Sequence, residues 1–234
     1  MISRGLVEAG AKVYVSSRKK DVCDSIAAEL SEHGECLSLP GDVSSEEKIL
    51  ELAGQLGESE GKLHVLVNNA GAAWGGPLES YPDSAWDKVM ATNVKGVFNL
   101  SRAVLPMLER AGTSRDPGRI INVGSIDGFR VPALENYAYS ASKAAVHHVT
   151  RVLAQKLGPK NVTVNAIAPG PFPSKMMNAT LEEIGDDLRA KCPLGRLGEP
   201  DDMAGIAVYL AARASAYVTG QIIAVDGGFS TGTW

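Results

Sequence analysis

Short apolar runs alternate with longer amphipathic stretches along the whole chain. Runs that are apolar nearly throughout predict strands covered on both faces, because a strand with one solvated face would alternate apolar and polar positions. Six short runs rich in β-forming residues predict strands at residues 12–16, 35–39, 63–68, 119–124, 162–168 and 222–225, and those at 63–68 and 119–124 are examples of runs that are apolar nearly throughout.

Between these runs, apolar residues recur three or four positions apart, which is the spacing of one helix face. This predicts helices at residues 1–9, around 26–30 and 49–56, and over 86–108 and 141–157. Alternating strands and helices predict an α/β protein with a doubly wound parallel sheet. We expect one domain over residues 1–234, with ligands at the carboxyl ends of the strands.

The start of the chain departs from this pattern, because its helix leads directly into the strand at residues 12–16. A dinucleotide-binding unit opens with a strand and a glycine-rich turn whose N–H groups hold the pyrophosphate. No such turn precedes this helix. We therefore expect a truncated chain without the first strand and phosphate loop, whose sheet lacks a strand between those at residues 12–16 and 63–68.

Composition narrows the class of protein. The chain has 23 basic and 27 acidic residues, a net charge of -4 and no long block of like charge, which argues against a nucleic-acid partner. Cys23, Cys36 and Cys192 have neither disulfide nor metal-site spacing, so we expect no metal and a reducing compartment. No apolar run suits a signal peptide or a membrane span, which favours a cytoplasmic protein without membrane association.

Tyr139 and Lys143 carry the strongest chemical signal. Side chains at i and i+4 share a helix face, and a cation beside a phenol favours the phenolate, which suits a general acid or base. A chance pair on a surface helix is the alternative, and spacing alone favours it. Ser125, however, follows the strand at residues 119–124, where a loop would bring it beside Tyr139 to bind a substrate carbonyl.

Several motifs together resemble the short-chain dehydrogenase/reductase family, in the family's order and over essentially the whole chain. They are Asn68-Asn-Ala-Gly71, Asn93, Ser125, Tyr139-Ser-Ala-Ser-Lys143, Pro169-Gly170 and Asp226-Gly-Gly228. The resemblance implies a Rossmann-type fold and the oxidoreduction of a carbonyl or alcohol.

The resemblance also implies a role for each matched residue. Tyr139 would be the general acid or base, Lys143 would lower its pKa and hold the nicotinamide ribose, and Ser125 would polarise the carbonyl. Asn93 matches the family asparagine that holds a water for proton relay. Its alternative is an ordinary helix asparagine that satisfies backbone groups.

The segment after the strand at residues 12–16 indicates the cofactor. NAD-specific relatives place a carboxylate there for the ribose 2′-OH, but this chain has Ser17 and Arg18 and no acid. A guanidinium binds a 2′-phosphate through charge-assisted hydrogen bonds, which favours NADP(H). The alternative is a solvated arginine at a helix start.

Further cofactor contacts implied by the resemblance lie in loops that follow strands. They are Asp42, Val43, Asn69, Ala70, Gly71, Pro169, Gly170, Phe172 and Ser174. The first two would meet the adenine, the next three would border the adenine ribose, and the last four would run along the nicotinamide. Asp42 is equally suited to be a helix N-cap.

The resemblance further implies a reaction and a substrate. The enoyl-reducing branch spaces its tyrosine and lysine more widely, so the close pair favours a ketone. Residues 74–82 and 168–176 look most like the β-ketoacyl reductases associated with rhamnolipid biosynthesis, which predicts NADPH-dependent reduction of a 3-oxoacyl substrate. Residues 176–193 would form a lid whose apolar residues line an acyl tunnel or merely cover the core.

Two alternatives stay open: a general ketone, sugar or steroid reductase, and an inactive truncated member of the family. Family members assemble through their long helices, so we expect a homotetramer or homodimer through residues 86–108 and 141–157.

Overall fold

Within residues 1–132, 134–174 and 177–232, which the computed structural model describes, the chain forms six strands paired in parallel. They are β1 (Val13–Val15), β2 (Cys36–Ser38), β3 (Val65–Asn68), β4 (Gly118–Val123), β5 (Val162–Pro169) and β6 (Ile222–Val225). Each of the six apolar runs therefore contains a strand, as predicted.

The strands form two hydrogen-bonded sheets. β1 pairs with β2, and the larger sheet has the order β3-β4-β5-β6. Within the described residues, β1 and β3 share no ladder, so the parallel sheet is interrupted between them. This interruption lies between the strands of residues 12–16 and 63–68, which is where the sequence predicts that a strand is missing.

Eight α-helices connect and cover the strands within the described residues. They are α1 (Ile2–Glu8), α2 (Lys20–Leu30), α3 (Glu46–Ser59), α4 (Asp83–Met90), α5 (Val97–Ala111), α6 (Tyr137–Leu157), α7 (Asn178–Lys191) and α8 (Pro200–Ala211). The prediction of one regular helix over residues 86–108 was wrong, because a π-helical segment, Ala91–Gly96, joins α4 to α5.

Helix α1 links the two sheets. Val7 packs with Val15 of the small sheet, whereas Ile2 joins the cluster that contains Ile121 of the large sheet. The helix approaches α8 so closely that a Cβ on Gly5 would lie 2.6 Å from the Cβ of Ala204. The absent side chain at this position therefore sets the distance between the two helices.

The core lies on both faces of the large sheet. One face packs Ile120 and Val164 against α5 and α6, and the other packs Ile121 and Ile167 against α8. Strands β4 and β5 are buried along nearly their whole length. This explains their continuous apolar sequences.

A buried polar chain crosses the sheet beneath the carboxyl ends of its strands. Asn68 donates to Ser101 Oγ at 3.0 Å and to Asn122 Oδ1 at 2.8 Å, and Asn122 donates to Thr150 Oγ1 at 2.9 Å. It joins α5, β3, β4 and α6. Satisfied buried polar groups fix the relative positions of their elements, because a shift would leave one of them unpaired.

We expect Gly5→Ala to destabilise the protein by roughly 1–3 kcal/mol, because the new methyl group would overpack the α1–α8 contact. Gly54→Ala is the matched control in α3, where a Cβ would meet nothing within 4 Å. It should stabilise by about 0.5–1 kcal/mol, as expected when alanine replaces glycine inside a helix. Urea denaturation measures both changes, and equal effects of the two substitutions would contradict this account.

Candidate active site

Ser125 lies immediately beyond the carboxyl end of β4. It is buried, its backbone is extended, and its Oγ accepts a hydrogen bond from the Asp127 N–H at 3.2 Å. This bond caps a single 3₁₀ turn, Ile126–Gly128. The local sequence thus stops the strand and holds the hydroxyl in a short loop against α6.

Helix α6 brings Tyr139 and Lys143 to this loop. The Lys143 side chain is buried, and Nζ donates to the Val123 carbonyl at 2.8 Å and lies 5.5 Å from the centre of the Tyr139 ring. The Ser125 side chain lies close enough to the Tyr139 phenol to lower its pKa. The structure therefore brings together the three residues that the sequence analysis selected as a catalytic group.

The two titratable groups of this cluster are shifted by their surroundings. Burial lowers the pKa of Lys143 to about 8, since an ammonium loses its hydration there. Burial raises the pKa of Tyr139, the Ser125 side chain opposes this rise, and the charge of Asp127 adds to it. Ser125 therefore favours the phenolate, and the lowering of this pKa by Lys143 stays a prediction.

Asn93 lies in the π-helical segment and is fully buried. Its Oδ1 accepts from the Ala72 N–H at 2.7 Å, and its Nδ2 donates to the Ala72 carbonyl and to Ser142 Oγ, both at 2.9 Å. The side chain thus ties the loop after β3 to α6, one residue before Lys143. Asn93 thus forms hydrogen bonds with backbone groups, which is the alternative role considered above. Its part in a proton relay through a water stays a prediction. Short π segments recur at functional sites.

Ser17 and Arg18 are exposed in the loop after β1. The Ser17 carbonyl accepts from the Gly41 N–H at 3.0 Å, and its hydroxyl lies 3.2 Å from the sulfur of the buried Cys23. The loops after β1 and β2 are therefore held side by side. An exposed guanidinium at this place fits a phosphate group.

Asp42 and Val43 are half-buried in the loop after β2. The Asp42 carboxylate accepts from the Ser44 N–H and from Lys48 Nζ, both at 2.9 Å, and the lysine is the main cause of its lowered pKa. The N-cap of α3 is Ser45, whose hydroxyl accepts from the Lys48 N–H. The alternative role of Asp42 as that N-cap was therefore wrong.

The loop after β3 reaches the lysine. Asn69, Ala70 and Gly71 are exposed, and a Cβ on Gly71 would lie 3.9 Å from Lys143 Nζ. This loop therefore borders the same opening as the catalytic cluster.

The loop after β5 matches the prediction only in part. Gly170 N–H donates to the Val225 carbonyl, which places Pro169 and Gly170 at the end of β5 beside β6. Phe172, however, is buried in the core, where its ring fills the space beside Gly198. The side chain of Phe172 therefore does not face a cofactor, because the apolar interior holds it. Ser174 is exposed.

The predicted lid corresponds to α7, which is kinked at Ile184. Leu188 packs on the cluster of Ile126, Cys192 and Phe229, so the helix covers the Ser125 loop from one side. Met176 lies outside the described residues. The acyl tunnel stays a prediction.

His147 is a buried residue of this region to which the sequence analysis assigned no role. It lies one turn after Lys143 on the same face of α6, and burial, Arg151 and Lys143 lower its pKa to about 4. Its position four residues after the lysine is the signal that would have found it.

The loops after β1, β2, β3 and β5 follow the carboxyl ends of parallel strands, which is where α/β sheets bind nucleotides. Arg18 provides a cation and Lys143 a buried ammonium, so the residues present fit the two ends of an NADP(H) molecule. None of the described helices is long and apolar enough to cross a membrane.

Known proteins resemble this chain over nearly its whole length. A family profile described as enoyl-(acyl carrier protein) reductase matches residues 1–230. Fold and site define an oxidoreductase of the Rossmann type, and the chain belongs to the short-chain dehydrogenase/reductase family.

Two curated relatives share most of the chain. The rhamnolipids biosynthesis 3-oxoacyl-[acyl-carrier-protein] reductase of Pseudomonas aeruginosa is 45% identical over 98% of this chain and 90% of the relative. The 3-oxoacyl-[acyl-carrier-protein] reductase FabG of Thermotoga maritima is 34% identical over 94% of this chain and 88% of the relative.

Two solved structures are also similar to this chain over most of its length. The P. aeruginosa RhlG/NADP active-site complex superposes with a TM-score of 0.94, at 44% identity over 98% of this chain and 90% of that chain. A variant of the actinorhodin polyketide ketoreductase with NADPH has a TM-score of 0.91 at 32% identity, over 99% of this chain and 92% of that chain.

We expect Lys143→Met to stabilise the fold by roughly 1–3 kcal/mol at neutral pH, because a buried ammonium is replaced by an apolar side chain of similar length. Between about pH 8, the folded pKa, and the unfolded value near 10.5, only the unfolded lysine holds its proton. Parent stability therefore rises with pH through this window, and the advantage of the variant should shrink.

Denaturant melts of the parent and Lys143→Met at several pH values measure this change. Lys62→Met, at an exposed position, is the control and should show no pH-dependent difference. A constant stability difference between the parent and Lys143→Met would contradict the burial of a charged lysine.

Proposed function

We propose that the protein reduces the ketone of a 3-oxoacyl-type substrate to a secondary alcohol with NADPH. The observation that carries this proposal is the joint placement of Ser125, Tyr139 and Lys143 at the carboxyl end of β4. It includes the Ser125 side chain beside the Tyr139 phenol and the buried lysine beside the ring.

The cluster has the groups that carbonyl reduction needs. The Ser125 and Tyr139 hydroxyls would both donate to the carbonyl oxygen and so stabilise the negative charge that develops on it. NADPH, when bound, supplies the hydride that reduces the carbonyl carbon. Tyr139 gives its proton to the oxygen, so that a C=O group becomes CH–OH, and the buried Lys143 ammonium stabilises the phenolate that remains.

The cofactor would lie across the ends of β1 to β5. Arg18 and Ser17 would hold the 2′-phosphate of the cofactor. NADPH would therefore bind more tightly than NADH, because this loop has a cation for the phosphate and no carboxylate to repel it. Asp42 and Val43 would border the adenine, and residues 69–71 the adenine ribose. Lys143 would hold the nicotinamide ribose, with residues 169–174 alongside the nicotinamide.

A ketone suits this site better than an alkene. Tyr139 and Lys143 are one helical turn apart, whereas the enoyl-reducing branch of the family spaces the pair more widely. The relatives in P. aeruginosa and T. maritima are both named as 3-oxoacyl-[acyl-carrier-protein] reductases. The half-buried apolar residues of α7, Leu181, Ile184 and Leu188, would contact the acyl chain.

A reduced, cytoplasmic setting fits the chemistry of the chain. Its three cysteines are all buried and free. Unpaired thiols are typical of reducing compartments.

We expect the purified protein to oxidise NADPH when a 3-oxoacyl thioester is added and to release the 3-hydroxyacyl product. Tyr139→Phe should lower kcat at least about a hundredfold, because it removes the proton donor. Tyr137→Phe is the matched control, two residues earlier on the same helix, and should retain activity. Absorbance at 340 nm and mass spectrometry of the product measure both. Faster reduction of a sugar ketone or steroid would contradict the substrate class.

We also propose that the protein is a homo-oligomer, a tetramer or a dimer, which assembles through α5 and α6. Phe98 is 44% exposed and Val152 is 43% exposed. Between these helices and α4 runs an apolar groove lined by Met90, Val94 and Val149. An apolar surface of this kind on two long helices is typical of a subunit interface.

Phe98→Glu should reduce the oligomer to a smaller species, because it places a charge in the proposed interface. Val22→Glu, on the exposed face of α2, is the control. Light scattering after gel filtration measures the mass of each variant. A monomeric parent chain would contradict this proposal.

A further inference from the structure

The loop that carries Ser125 rests directly on the imidazole of His147. A Cβ on Gly124 would lie 2.3 Å from His147 Nε2, and a Cβ on Gly128 would lie 2.6 Å from Cε1. Both distances are far below contact, so the imidazole occupies the space that side chains at 124 and 128 would need. The two glycines flank Ser125 and allow its backbone to approach the ring.

The need for glycine at these positions comes from this approach. Neither Gly124 nor Gly128 is among the residues with positive φ. An alanine at either position would therefore fit the backbone conformation. At 124 its methyl group would clash chiefly with the ring, whereas at 128 it would also lie 2.8 Å from the carbonyl carbon of Lys143. The two glycines of the Ser125 loop thus leave the space that the His147 ring fills.

The His147 ring is an uncharged group packed between the Ser125 loop and α6. It is 3% exposed, and within the described part of the chain its Nε2 has no hydrogen-bond partner. Burial, with the charges of Arg151 and Lys143, keeps its pKa near 4, so the ring is uncharged at neutral pH. The ring of Phe129, 5.5 Å away, closes the other side.

We propose that His147 is a positioning residue that sets the place of the Ser125 hydroxyl relative to Tyr139. The inference rests on the proposed reductase function. It predicts that His147 affects the rate of the chemical step and does not affect the binding of the cofactor. Loss of the ring would let the loop move toward α6, and the Ser125 hydroxyl would change its position relative to the Tyr139 phenol. Small displacements of this kind reduce catalysis strongly.

The test uses four variants: His147→Ala, Gly124→Ala, the double variant and His148→Ala. His147→Ala should lower kcat at least about tenfold and change the NADPH dissociation constant less than about twofold. Gly124→Ala should also lower kcat, because its methyl group pushes against the ring. In the double variant that methyl enters the space left by the ring, so kcat should recover toward the parent value. His148 is exposed on the same helix, and its variant should equal the parent.

A second readout does not need turnover. The Ser125 side chain lowers the pKa of the Tyr139 phenol, so Ser125→Ala and His147→Ala should both shift its ultraviolet titration upward, each measured against the same protein with Tyr139→Phe. The double variant should shift it back. If His147→Ala does not fold, Gly124→Ala alone carries the test, since it adds one methyl group at the contact.

The outcomes separate this inference from the proposed function. A parent chain that reduces no ketone overturns the function, while the phenol titration still tests the position of Ser125. Parent-like kcat and phenol titration in His147→Ala would overturn the inference. So would a double variant no better than either single one, or a loss of NADPH affinity in proportion to kcat.

Discussion

The packing of α6 across the carboxyl end of β4 is the constraint on which the site depends. Lys143 donates to the last carbonyl of that strand, Val123, and Tyr139 meets Ser125 one turn earlier. Beneath them, the chain of Asn68, Asn122 and Thr150 prevents the helix from sliding along the strand. The buried ammonium is costly in free energy, and the protein retains it where the proposed chemistry needs a cation.

Most of the fold could be predicted because its signals are local. A strand buried on both faces needs an unbroken apolar run, so β4 and β5 follow directly from the sequence. The catalytic residues were also predictable, since Tyr139 and Lys143 are neighbours on one helix and Ser125 ends a strand. The π-helical segment around Asn93 was not, because its apolar pattern continues that of the flanking helices. The break between β1 and β3, in contrast, was predicted from the sequence.

The errors at individual residues have a common physical origin. Phe172 lies in a loop whose neighbours face the proposed cofactor, but its ring gains more from the apolar core beside Gly198. His147 was passed over because its importance comes from Gly124 and Gly128, which are distant in sequence. Both depend on tertiary packing, which residue spacing does not encode.

The fold and the arrangement of Ser125, Tyr139 and Lys143 together favour a site that binds NADPH and uses it to reduce a ketone. Fluorescence titration of the folded chain with NADPH and NADH, with Arg18→Asp as the comparison, tests this most directly. We predict that NADPH binds more tightly than NADH and that Arg18→Asp removes this preference, because a carboxylate there repels the 2′-phosphate and accepts from a ribose hydroxyl. A folded chain that binds neither nucleotide, or that prefers NADH, would contradict the account.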